Sequence, residues 1–203
     1  MSQFIFSRRA TGEVSPWFKR LVTLSCVFAL LTFVVSSTKA QKSSPDSTVF
    51  KAEPKDVASI DAIIKATYDV ISGLPDEQRN WVRFRSLFID GARLIPASPT
   101  QNGKFGVRVL DVDSFIQLAE PFYLDKGFFE QEIARRQEQF GHIAHVFSTY
   151  ESRNHPNDPE PFARGINSFQ LVFVGDRWWI VTIFWEGERP NNPIPDKYLP
   201  LKK

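Results

Sequence analysis

Glu130 and Glu132 stand two residues apart, and Glu151 follows some twenty residues later in a run of similar character. Side chains at i and i+2 of a strand share a face. Two carboxyls in one cavity can divide acid and base work, and three together can hold a hard cation. The plainer alternative is that they face solvent or pair with Arg135, Arg136 and Arg153, since carboxylates and guanidinium groups are rarely fully buried. His142 and His145 have the spacing H-x-x-H. That spacing converges on a helix but diverges on a strand, so no zinc site is expected. His145 alone suits either a general base or a hydrogen-bonded structural histidine. The catalytic candidates are therefore His145, Glu132 and Tyr150.

A binding pocket would need apolar walls and a few polar groups. Tyr68, Trp81, Phe84, Phe147, Gln170 and Trp185 are the residues expected to line it. The competing reading of Trp81, Phe84, Trp179 and Trp185 is plain core, where aromatic rings contribute buried area. Ser148 and Thr182 are further polar groups at mid-strand positions, and half of all such groups must face outward by alternation alone. The sequence carries no phosphate-binding loop, dinucleotide fingerprint or nucleophile motif. No cofactor and no metal are expected.

Most of these residues fall in Gly127–Arg189, which reads as four antiparallel strands in succession. Phe169, Leu171 and Phe173 alternate with polar neighbours before Gly175-Asp176. Trp179, Val181, Ile183 and Trp185 alternate after it. Aromatic and β-branched alternation across a Gly-Asp turn is a hairpin signature. The last strand is apolar on both faces, so both should be covered, one by helices and the other by a second subunit. Gly141 marks an earlier turn between Phe128–Gln139 and His142–Ser152. With residues 138 and 143 opposed, Arg136 would face His145, Glu132 would face Thr149, and Glu130 would face Glu151. Like charges so opposed call for a cation or ligand between them. Asn154–Arg164 holds three prolines and reads as a loop.

Apolar residues at helical spacing place a helix over Asp56–Ser72, ended by Gly73 and Pro75. A second covers Glu77–Phe88. Asp90-Gly91 reads as a turn, followed by short strands over Ala92–Pro96 and Phe105–Leu110. A third helix, capped by Asp113, covers Ser114–Ala119 and stops before Pro121.

The first 40 residues read as a targeting segment. Arg8, Arg9, Lys19 and Arg20 precede the apolar run Leu21–Val35, and Thr38 and Ala40 have the spacing of a signal peptidase site. The run is shorter than the ~20 residues of a membrane span. Cleavage after Ala40 is expected, with a retained anchor as the alternative, which makes the protein periplasmic or secreted and leaves membrane contact to the leader during export. The leader holds five of the 25 Lys and Arg but one of the 23 Asp and Glu, so the remainder is close to neutral. Nucleic acid is not an expected partner. The single cysteine, Cys26, lies in the leader, so the rest can form no disulfide. Residues 41–55 read as a flexible linker, 56–189 as one domain, and 190–203 as a proline-rich extended tail.

The order helix, helix, strand, strand, helix and four-strand meander gives an α+β domain with helices on one face of a curved sheet. The segment Asn80–Leu94, NWVRFRSLFIDGARL, resembles the tryptophan, leucine-phenylalanine, aspartate and alanine signature of the nuclear transport factor 2-like superfamily, including its SnoaL-like branch. Arg177–Val181 is similar to that superfamily's closing hairpin. The resemblance covers about residues 56–189. It implies a cone-shaped fold, three helices on a mainly antiparallel sheet, an apolar pocket between them and a homodimer through the outer sheet face. Ketosteroid isomerases in the superfamily use a tyrosine, a base aspartate and a protonated aspartate. Tyr68 offers a tyrosine, but Phe84-Arg85 offers no aspartate at the base position. The expectation is therefore a binding protein for an apolar small molecule. The alternatives are a cofactor-independent acid/base enzyme and a module that binds protein on its outer sheet face.

Overall fold

The computed structural model describes residues 50–100 and 102–201. The expected leader and most of the expected linker lie outside the described residues. The elements are α1 (Pro54–Val57), α2 (Ile60–Ile71), α3 (Trp81–Ser86), β1 (Phe88–Pro99), β2 (Phe105–Val107), α4 (Val112–Lys126), β3 (Phe129–Phe140), β4 (Ile143–Arg153), β5 (Ala163–Val174) and β6 (Arg177–Gly187). The strands form one sheet in the order β2-β1-β6-β5-β4-β3. The expected α+β class and the four-strand meander β3 to β6 are present. β1 runs parallel to β6, which makes the sheet mixed.

Helix α2 provides the apolar stripe. Ile60, Ile63, Ile64, Thr67, Tyr68 and Ile71 are buried, in one core with Val146, Phe169, Leu171 and Ile180 of the sheet. Each such aliphatic side chain contributes roughly 1.5–3 kcal/mol on burial. Among the described residues, no helix is long and apolar enough to cross a membrane.

The helices depart from expectation in three places. The first is broken after Val57, because Ser59 takes an extended conformation and its Oγ accepts from Ala62 N, capping α2. Four α-helices therefore stand among the described residues where three were expected. The second is shorter, with Asn80 capping at Trp81. The third runs through Pro121 to Lys126. Pro121 and Gln117 are both exposed, so the carbonyl four residues back, which loses its amide partner to proline, faces water. The cap of that helix is Asp111 rather than Asp113.

β1 is also longer than expected. Asp90-Gly91 is not a turn but part of an irregularity between Phe88 and Arg93, where β1 shifts register on β6. Gly91 has a φ of 77°, which favours glycine.

The β3–β4 hairpin corrects the assumed register. Phe140 pairs with Ile143 around a two-residue Gly141-His142 turn, and a bulge lies between Glu132 and Ala134. Arg136 faces Phe147, not His145; Glu132 faces Tyr150, not Thr149; and Glu130 faces Ser152, not Glu151. The two carboxylates expected to oppose one another lie on opposite faces. Glu151 pairs with Arg153 at 2.6 Å on the outer face. The assumed turn is centred one residue too early, and the bulge changes the offset again beyond Ala134.

The tail folds back across the outer face. Thr149 Oγ1 donates to Tyr198 O at 2.6 Å, Arg136 Nε donates to Lys197 O at 2.8 Å, and the Tyr198 ring lies 5.4 Å from Phe147. Ile194 is buried, and its amide donates to Glu188.

Candidate functional site

The helix-facing side of the sheet and helices α2 to α4 enclose a cavity of about 350 Å³. Ile71, Leu94, Phe115, Phe128, Ile183 and Trp185 supply apolar wall. Two charged side chains line it, Glu130 and Arg108.

Alternation along β3 and β4 brings Glu130, Tyr150 and Ser152 to the helix-facing side. Glu130 Oε2 accepts from Ser152 Oγ at 2.8 Å, and Oε1 accepts from Asn167 Nδ2 at 3.2 Å. Glu130 is half-buried, and the surface it keeps opens on the cavity. Burial pushes its carboxyl up to about 7, against the two hydrogen bonds that favour the charged form. It therefore holds or releases a proton near neutral pH.

Asn167 Nδ2 also donates to the Tyr68 hydroxyl at 3.1 Å. Tyr68 and Ser148 are hydrogen-bonded at 2.7 Å, and Ser148 Oγ donates to Glu132 Oε1 at 2.8 Å. With the serine proton committed to Glu132, the Tyr68 hydroxyl donates to Ser148. Glu132 in turn holds Arg135 through both its oxygens, at 2.7 and 2.6 Å, and Arg135 reaches the exposed Asp61. A continuous polar chain thus runs from the cavity wall to the surface. Burial raises the Tyr68 phenol well above its ordinary value, so it stays protonated.

Tyr123 and Tyr150 also line the cavity, and neither makes a side-chain hydrogen bond among the described residues. Burial raises both phenols, and Glu130 adds to the shift. Tyr150 lies directly over Gly165, where a Cβ would come within 2.5 Å of its hydroxyl.

The candidate catalytic residues do not converge. Tyr150 lines the cavity. Glu132 is engaged with Ser148 and Arg135 beside it. His145 is on the outer face, with Nε2 3.0 Å from Ser168 Oγ. Of the candidate pocket residues, Tyr68, Phe84 and Trp185 line the cavity. Trp81 stands behind its wall, donating from Nε1 to Glu120 and stacking on Tyr123. Phe147 and exposed Gln170 belong to the outer face.

Sequence reasoning missed Asn167, Ser152, Tyr123 and Arg108. Tyr123 was hidden by ending the helix at Pro121. Ser152 was hidden by the register error that set Glu130 against Glu151. Asn167 stands just ahead of the alternating run used to define its strand. For Arg108 the sequence offers no signal.

No family model and no curated protein matches the sequence. Several solved structures are similar to it. A protein of unknown function with a cystatin-like fold from Nostoc punctiforme is 10% identical, with 70% of this chain and 92% of that one covered and a TM-score of 0.49. An NTF2-like protein of unknown function from Silicibacter pomeroyi is 14% identical, covering 64% and 94%, at 0.45. Another from Methylobacillus flagellatus is 16% identical, covering 64% and 95%, at 0.42. These last two carry the fold name that the sequence resemblance brought forward.

Proposed function

We propose that this chain is an exported binding protein that holds a small, mainly apolar molecule in the cavity, with a polar group against Glu130. The observation that carries the reading is Glu130 itself, a carboxyl set in an apolar wall on Ser152 and Asn167, beside two phenols that make no side-chain hydrogen bond among the described residues. Polar groups in such a place are costly unless a ligand or water engages them. The leader's composition supports export, and the part of the outer face left open by the tail, with Ile143 and Phe184 exposed, suits a homodimer. Native mass spectrometry of the full chain purified from its producing cells tests the reading. A retained small molecule that is lost in Glu130→Gln is expected. An empty wild-type protein that also takes up no apolar probe would refute it.

A second reading is acid/base catalysis on the same ligand, favoured by a carboxyl that titrates near 7. In that case Glu130 exchanges the proton, and the unengaged Tyr150 hydroxyl donates to the oxygen where charge develops. Glu130→Gln would then abolish turnover while binding persists.

A further inference from the structure

Arg108 differs from every other arginine among the described residues. The others, from Arg79 to Arg189, each donate to a carboxylate or a backbone carbonyl. Arg108 has no side-chain acceptor among the described residues, yet it lines the cavity. Its position is fixed by backbone: Arg108 N donates to Pro96 O at 3.2 Å, and Leu94 and Leu110 exchange both backbone hydrogen bonds at 2.9 and 3.0 Å. The segment is therefore held on β1 and is not a free loop.

Arg108 is exposed while it lines the cavity, so it stands at an opening. Leu118, Phe122 and Phe162 line the same cavity while remaining 51%, 43% and 48% exposed. Phe122 and Phe162 meet with ring centroids 6.5 Å apart beside Phe128, and large apolar side chains this open on a cavity mark a surface that contacts apolar material. No carboxylate lines the cavity near Arg108; the one lining carboxylate, Glu130, comes from β3, at the opposite edge of the sheet from β2 and Arg108. An anion at the Glu130 end would meet a like charge in a poorly screened site. At the Arg108 opening it meets an exposed guanidinium with no protein acceptor among the described residues, the side chain best suited to a planar carboxylate.

Building on the pocket reading above, we infer that the ligand is a carboxylate-bearing amphiphile, its anionic head on Arg108 at that opening and its apolar body directed inward toward Tyr123 and Tyr150. Phosphate or sulfonate heads share this chemistry, and the far end of the ligand is uncharged.

The test uses the full chain and isothermal titration with matched pairs: hexanoate, octanoate, decanoate and dodecanoate, each against the primary alcohol of the same length. The expected result is that the best acid binds about tenfold tighter than its alcohol, the scale of one charge-assisted bidentate contact. Arg108→Gln should remove that preference and leave alcohol binding unchanged. Added salt should weaken acid binding and spare the alcohol, a readout that stands even where the variant folds poorly. Replacing octanoate by octyl phosphate separates head chemistries: equal affinity means that any anion is accepted. Acids and alcohols that bind equally, with no salt dependence, would overturn the head assignment while leaving the pocket reading intact. Failure of every acid and alcohol to bind would overturn both.

Discussion

The hydroxyls of Tyr68 and Ser148 meet at 2.7 Å across 80 residues of sequence. This contact ties α2 to the middle of the sheet inside the core, and it relays the polar chain from Asn167 to Glu132. Replacing Tyr68 with Phe keeps the ring's edge-on contact with Phe169 and removes the hydroxyl. Ser148 and Asn167 each lose a partner, so unfolding in urea should show a loss of about 1–3 kcal/mol. Ser148→Ala in that background should cost little more, since the two act through one network.

Glu130 should make the protein less stable as pH rises through the weakly acidic range. Its folded value near 7 lies above the ordinary glutamate value of 4.5, so the folded state holds the proton that the unfolded chain has released. Its contribution is greatest below about 4.5, falls between 4.5 and 7, and is level above that. The full swing is on the order of 3 kcal/mol, reduced where cavity water solvates the carboxylate. Melting temperature measured between pH 4.5 and 7 should show this slope in wild type and lose it in Glu130→Gln.

Asp56 should act with the opposite sign. It is buried and takes both Arg83 Nε and Nη2, at 2.7 and 2.9 Å. The Arg83 hydrogen bonds hold its carboxyl below the ordinary aspartate value. Its contribution is complete above the ordinary carboxyl range and is lost as pH falls through the lowered value. Arg83→Ala strands a buried carboxylate and should cost about 2–4 kcal/mol at neutral pH, with part of that recovered in acid. An unchanged melting profile at pH 7 would contradict this.

The tail should behave as part of the folded domain. Ending the chain at Arg189 uncovers Phe147, Thr149 and Ile166 and leaves Glu188 without the Ile194 amide. The expected result is a lower melting temperature, by roughly 2–4 kcal/mol equivalent, and increased self-association on the newly bared face in sedimentation velocity. A truncated chain with wild-type stability and unchanged sedimentation would show that the tail contributes nothing.

Gly165→Ala should reach the cavity directly. The new methyl group meets the Tyr150 hydroxyl and Glu186 O, each at 2.5 Å. Tyr150 must turn away or the β5–β6 pairing must loosen. Loss of affinity for any cavity ligand is expected, together with destabilisation of about 1–3 kcal/mol.

Periodicity alone carried much of the fold. The alternation of Phe169 to Phe173 and Trp179 to Trp185, and the Gly175-Asp176 turn between them, are local signals, and the β5–β6 hairpin follows them. What failed was whatever depended on counting across an irregularity. The bulge after Glu132 and the Gly141-His142 turn each move pairings, and neither leaves a mark in residue type. The site suffered most because it is assembled from four segments distant in sequence. Glu130 stood out as a carboxyl beside Glu132, but its partners Ser152 and Asn167 are fixed only by that pairing. Pro121 misled in another way: proline ends a helix where its neighbours are buried, but here water can satisfy the freed carbonyl.

The position of β6 also governs when this domain can form during synthesis. β6 is the last strand made, yet it lies between β1 and β5 and joins the two halves of the sheet. Until residues beyond Arg177 have left the ribosome, β1–β2 and the β3–β5 sheet have no strand between them, and Ile180 and Ile183 are missing from the core. The nascent chain therefore carries unpaired strand edges and an open apolar face until β6 has emerged. It offers a long window to chaperones, and closure is a late step dominated by contacts far apart in sequence, which are slow to form.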